Sequence, residues 1–174
     1  MRDLRLKYSI YSLIIILFST NISLAKVDDG LTWLSFEQAV ALQSKEPKKI
    51  IIDVYTDWCS WCKKMDKYTY TDTSVINKIK ANYYLVKLNA EQKEDIIYKD
   101  KTFSFKPEYK SHELAVSLLS GQMSYPTTVF LDEDFNILTT VPGYLTPKDL
   151  NPILKYFGED LYKKMNWKEY SGEN

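Results

Sequence analysis

The chain has 174 residues, enough for one domain with a sizeable core, and its 45% aliphatic and aromatic content excludes a disordered polymer. Twenty-three basic residues balance 23 acidic ones, so no whole-chain charge points to nucleic acid or an anionic membrane. Two cysteines and one histidine are too few soft ligands for a metal centre, and no metal site is expected.

The first segment reads as an address. Arg2, Arg5 and Lys7 precede an apolar run over residues 10–18, and Ser23-Leu24-Ala25 supplies the small residues a signal peptidase prefers. Residues 1–25 are therefore expected to be a signal peptide, leaving a domain of 26–174 that is periplasmic or secreted. The alternative is an uncleaved anchor in the inner membrane, although the apolar run is shorter than the ~20 residues that span a bilayer. Cleavage would leave 20 basic against 22 acidic residues.

An extended lead-in over 26–34 carries Trp33 and Leu34 as early core anchors. Ser35 and Gln38 match a capping box, which predicts a helix over 36–45. Residues 50–55 form a continuous apolar, β-branched run, the pattern of a central strand covered on both faces. A helix is expected from the cysteines to about residue 67, another over 74–81, and a strand over 83–88. Residues 89–110 are charged and aromatic and predict a short helix and an irregular excursion. Within it, Tyr98, Phe103, Phe105 and Tyr109 read as the private core of an insertion, with a partner-facing surface as the alternative. Residues 111–120 predict a helix that Gly121 stops, with His112 as a helix-start or satisfied surface histidine. Strands over 127–131 and 136–141 flank Asp132-Glu133-Asp134 as a hairpin. Thr146 and Pro147 open a helix to about residue 157, which Gly158 stops. Leu161, Met165 and Trp167 suit a last helix that docks on the domain. The order predicts an α/β fold with a central mixed sheet and helices on both faces.

The chemistry-bearing motif is Trp58-Cys59-Ser60-Trp61-Cys62-Lys63, directly after a strand and opening a helix. A disulfide across two intervening residues closes a very small loop and removes little unfolded-chain entropy. The spacing thus suits redox chemistry better than stapling. At a helix N-terminus, free backbone N–H groups and the helix dipole favour a thiolate, which makes Cys59 the nucleophile. Cys62, one turn on and more buried, is the resolving thiol. Asp53 lies in an apolar strand, where an unpaired carboxylate is costly and burial raises its pKa. Its structural alternative is a pair with Lys87.

The block from Ile52 to Cys62, with Lys87-Leu88-Asn89, Tyr125-Pro126-Thr127 and Gly143 following in order, resembles the thioredoxin superfamily over residues 33–157. Two features depart from thioredoxin itself: the central pair is Ser60-Trp61, and the segment 89–121 is longer. Both are more similar to exported bacterial thioredoxin-like proteins and to the periplasmic reductant domains of transmembrane disulfide reductases. The resemblance implies a thioredoxin fold with a helical insertion before a cis-Pro126 loop and a helical tail over 158–174. It implies a thiol–disulfide oxidoreductase that needs no cofactor. Asp53 would take a proton from Cys62 through a water, with Lys87 tuning it. The backbone at Tyr125 and Pro126 would pair with an extended client, and Trp58 and Trp61 would form an apolar rim. The partners implied are disulfide- or thiol-bearing proteins and a membrane-embedded electron donor, with no nucleic acid. A reductase is the reading preferred here. An oxidase or isomerase, and a redox-inert client-binding module that uses the aromatic insertion, are the alternatives.

Overall fold

The computed structural model describes residues 30–172, so the expected signal peptide lies outside the described residues. Leu34 forms a lone parallel bridge to Val86. Helix α1 (Phe36–Gln43) begins at the expected capping box, where the Ser35 hydroxyl accepts from Gln38 N–H and the Gln38 side chain accepts from Ser35 N–H. Strand β1 (Lys49–Tyr55) leads to α2 (Ser60–Tyr68), α3 (Thr73–Asn82) and strand β2 (Tyr83–Asn89). Strands β3 (Ile96–Tyr98), β4 (Lys101–Phe103), β5 (Phe105–Lys106) and β6 (Ser111–His112) fill the long segment and run into α4 (Glu113–Leu118). Strands β7 (Thr127–Leu131) and β8 (Ile137–Pro142) form the hairpin. Helix α5 (Pro147–Gly158), a 3-10 turn (Leu161–Lys163) and α6 (Trp167–Ser171) complete the chain.

The main sheet has the order β2-β1-β7-β8, with β1 parallel to β2 and antiparallel to β7. Its two faces explain the unbroken apolar run of β1. Ile50, Ile52 and Val54 pack under α1, α4 and the insertion, together with Val86, Val129, Leu131 and Phe103. Ile51 faces the other way, with Phe130 of β7, onto Met65, Val75, Ile79 and Leu154 from the layer of α2, α3 and α5. Each such side chain contributes about 1.5–3 kcal/mol by leaving water. Asp53 follows Ile51 on that second face, between Ile51 and Tyr55 and away from Lys49 at the start of the strand.

Three local expectations are corrected. Residues 89–110 hold no helix; they form two small hairpins, in which Ile96 pairs with Phe103 and Phe105 with His112. Lys99 (φ 54°) and Lys110 (φ 50°) turn the chain through the left-handed region, a role no glycine marked in the sequence. Residues 111–112 belong to the second hairpin, so α4 starts later than expected. His112 does cap α4, but it is fully buried instead of lying at the surface. Helix α5 ends at Gly158, within a residue of the expected boundary, and Gly158 is itself its last residue, beside the Tyr83 ring. The insertion's aromatic residues divide: Phe103 is buried and Tyr98 packs on the core, whereas Tyr109 is 60% exposed. The tail docks through Leu161, Met165 and Trp167 against the α5 side.

Candidate active site

Strand β1 ends at Tyr55, and the chain turns through Thr56–Trp58 so that Cys59 caps α2. Cys59 N–H bonds to Thr56 C=O at 3.1 Å, and Lys63 N–H bonds to Cys59 C=O at 3.2 Å. The Cys59 Sγ accepts the Cys62 N–H at 3.0 Å, occupying the place an oxygen cap would take. Cys59 and Cys62 form a disulfide, with Cα atoms 5.3 Å apart. Both are buried, at 4% and 1% exposure, with Cys59 the slightly more exposed of the two.

The register brings the second predicted group together. Asp53 pairs across the sheet with Lys87 on β2 and with Thr128 on β7. The Lys87 ammonium lies 2.6 Å from Asp53 Oδ2 and also meets the Asp66 carboxylate. It sits 4.4 Å from the centre of the Trp33 ring and 4.8 Å from that of Tyr55. Asp53 is fully buried, and burial raises its pKa to about 6 against the opposing pull of Lys87. Its other oxygen, Oδ1, has no hydrogen-bond partner among the described residues; neither do the buried hydroxyls of Tyr70 and Thr128. Asp53 is thus both alternatives at once, a lysine-paired acid and a carboxyl with a basicity well above the ordinary range.

The loop before β7 reaches the same end of the sheet, because Thr127 stands opposite Val54. The Tyr125–Pro126 peptide bond is cis, and Pro126 C=O accepts from Gly143 N–H at 2.8 Å. Tyr125's own main-chain N–H and C=O make no hydrogen bond among the described residues. Trp58, 66% exposed, stands edge-on to Tyr125 with ring centres 5.9 Å apart. Trp61 is 53% exposed yet leans on Tyr144, and Lys64 lies 4.6 Å over its ring, so it lines the rim and packs on the domain together.

Sequence reasoning missed four contributors. Asp66 lies one helical turn beyond Cys62 and shares Lys87 with Asp53, a position the i,i+4 spacing could have marked. Glu91 binds the Trp58 indole N–H. Tyr144 and Tyr70 come from segments with no motif of their own.

The family model for the thioredoxin-like domain matches residues 36–158, and the chain belongs to that family. A thiol:disulfide interchange protein DsbD from Actinobacillus pleuropneumoniae is 30% identical over 127 residues, which is 70% of this chain and 19% of that relative. The chain therefore spans about a fifth of that relative's length. Among solved structures, a thioredoxin-fold protein from Helicobacter pylori superposes with a TM-score of 0.57 at 16% identity, covering 83% of this chain and 86% of that one. A thioredoxin from Thermus thermophilus gives 0.55 at 15% identity, covering 74% and 87%. At these identities the structural likeness speaks for the fold alone.

Proposed function

We propose that this domain reduces disulfide bonds in exported proteins through Cys59 and Cys62. The observation that carries the reading is the closed Cys59–Cys62 disulfide at the start of α2, which follows the strand that holds a buried acid of raised pKa. In the reduced protein the Cys59 thiolate attacks one sulfur of a client disulfide. A mixed disulfide forms and one client thiolate leaves. Cys62 loses its proton towards Asp53 through a water, and its thiolate attacks Cys59 Sγ. The second client thiolate leaves, and the enzyme holds the disulfide described above. Two electrons have passed from the dithiol to the client.

The exposed Trp58 and Trp61 form the apolar rim, and the main chain of Tyr125, which makes no hydrogen bond among the described residues, offers hydrogen bonds to an extended client segment. Lys87 restrains the basicity of Asp53. The expected signal peptide supports export, and the relative's name, a thiol:disulfide interchange protein, supports disulfide exchange with other proteins; in this reading a membrane-embedded electron donor restores the dithiol. No helix among the described residues is long and apolar enough to cross a membrane.

Insulin reduction with dithiothreitol as donor tests the activity: wild type should be faster than Cys59→Ser, and equal rates would end the proposal. The direction of electron flow is read from the reduction potential. A value near about −270 mV supports a reductase, and one near about −120 mV would make the protein an oxidase.

A further inference from the structure

The oxidoreductase reading above leaves the long segment 89–121 without a role, and the site geometry supplies one. That segment is anchored at the active-site end of the sheet. Ala90 N–H bonds to Tyr55 C=O at 2.8 Å, and His112 N–H bonds to Ala90 C=O at 2.7 Å. The buried His112 ring then ties two more pieces together. Its Nδ1 accepts from Leu114 N–H at 3.3 Å, which leaves the proton on Nε2 to donate to Glu94 C=O at 3.1 Å.

From this platform one side chain reaches the rim. Both Glu91 carboxylate oxygens lie 3.1 Å from the Trp58 indole nitrogen. An indole that is 66% exposed is thereby held from one side by the Tyr125 ring and from another by Glu91. A surface ring fixed before binding loses less freedom when a polypeptide docks on it.

We propose that Glu91 is a positioning residue that holds Trp58 against Tyr125 as a fixed wall beside Cys59. Through it the insertion favours extended polypeptide disulfides over small ones. The proposal rests on the oxidoreductase reading. It is tested by comparing insulin with bis(2-hydroxyethyl) disulfide in wild type, Glu91→Ala and Glu91→Gln. Glu91→Ala should lower the ratio of kcat/KM for insulin to that for the small disulfide by about two- to tenfold, the worth of a hydrogen bond, mainly through KM. Glu91→Gln keeps an oxygen that accepts the indole N–H and should restore most of the ratio. Nitrogen-15 relaxation of the Trp58 indole should show added motion in Glu91→Ala. An unchanged ratio, an equal loss on both substrates, or an indole as rigid as in wild type overturns the wall and leaves the oxidoreductase reading intact. A wild type that reduces neither substrate overturns both.

Discussion

Replacing Asp53 by Asn separates the acid's cost to the fold from its use in the chemistry. Asp53 is fully buried, and its pKa rises from 3.8 to about 6 with the attraction of Lys87 already included. The folded state therefore holds a proton that the unfolded state has released between about pH 4 and pH 6. Stability from this group is fully present below pH 4, falls as pH rises through that window, and stays low above it. A shift of about two units corresponds to about 3 kcal/mol at pH 7.5. Asn has the shape of the neutral carboxyl and carries no charge to bury. Asp53→Asn should accordingly match wild type at pH 4 and exceed it by about 2–3 kcal/mol at pH 7.5. Urea unfolding of the oxidised proteins across pH 4–8 measures the difference. The same variant should reduce insulin more slowly at pH 7.5, because Cys62 loses its proton acceptor. A variant less stable than wild type at pH 7.5, or a stability difference independent of pH, would refute the assignment of a buried, raised-pKa carboxylate. A stabilised variant with full activity would leave Asp53 a structural acid only.

Lys87→Gln removes the cation that restrains Asp53, so the Asp53 pKa should climb further above about 6, by about one unit or more, as read by carbon-13 titration of the carboxyl. Gly158→Ala reverses the usual helix rule, by which alanine gains about 0.5–1 kcal/mol. A Cβ there would meet the Tyr83 ring at 3.1 Å, and Tyr83 is held by its hydrogen bond to Leu154 C=O at 2.8 Å. The variant should therefore melt below wild type in a calorimetric scan. Thr146→Ala breaks the capping box with Asp149 at the start of α5 and should cost about 1 kcal/mol in urea unfolding.

What the sequence made legible depended on how local each signal was. The run Lys49–Tyr55 could be read as a central strand because three isoleucines and a valine are apolar on both faces of the pleat, and both faces are covered. Ser35 with Gln38 and Thr146 with Asp149 hold their helix starts within four residues, which is why both boundaries came out close. The hairpins of the insertion failed that test. Strands of three and two residues are too short to display a period, and their turns rest on lysines in left-handed conformations. In the candidate site, the spacing of Cys59 and Cys62 was visible in the motif itself. The Asp53–Lys87 pair was weighed as a contact but needed the parallel register of β1 and β2 to be fixed. Glu91 and Tyr144 reach the rim from loops whose course is set by tertiary packing, and no local pattern announces them.

The cap of α2 links the fold to the chemistry in a way that can be measured. The first turn of α2 contains no acidic residue, and the acceptor for the Cys62 N–H is the Cys59 sulfur at 3.0 Å. A neutral thiol is a poor acceptor beside the oxygen of Ser, Thr, Asp or Asn that helix starts favour. A thiolate in the same place is a charged acceptor at the positive end of the helix dipole, and such bonds are roughly twice as strong as neutral ones. The reduced protein should thus be under-capped at low pH and well capped once Cys59 ionises. Cys59→Ser supplies an oxygen cap at every pH. At pH 5 it should be more stable than reduced wild type by about 0.5–1 kcal/mol, and the gap should narrow or reverse at alkaline pH. A constant gap from pH 5 to pH 9 would mean that the sulfur does not serve as the cap in the reduced state. The helix start would then contribute nothing to activating Cys59. A narrowing gap would mean that the N-terminus of α2 gains stability from the same charge that makes Cys59 a nucleophile.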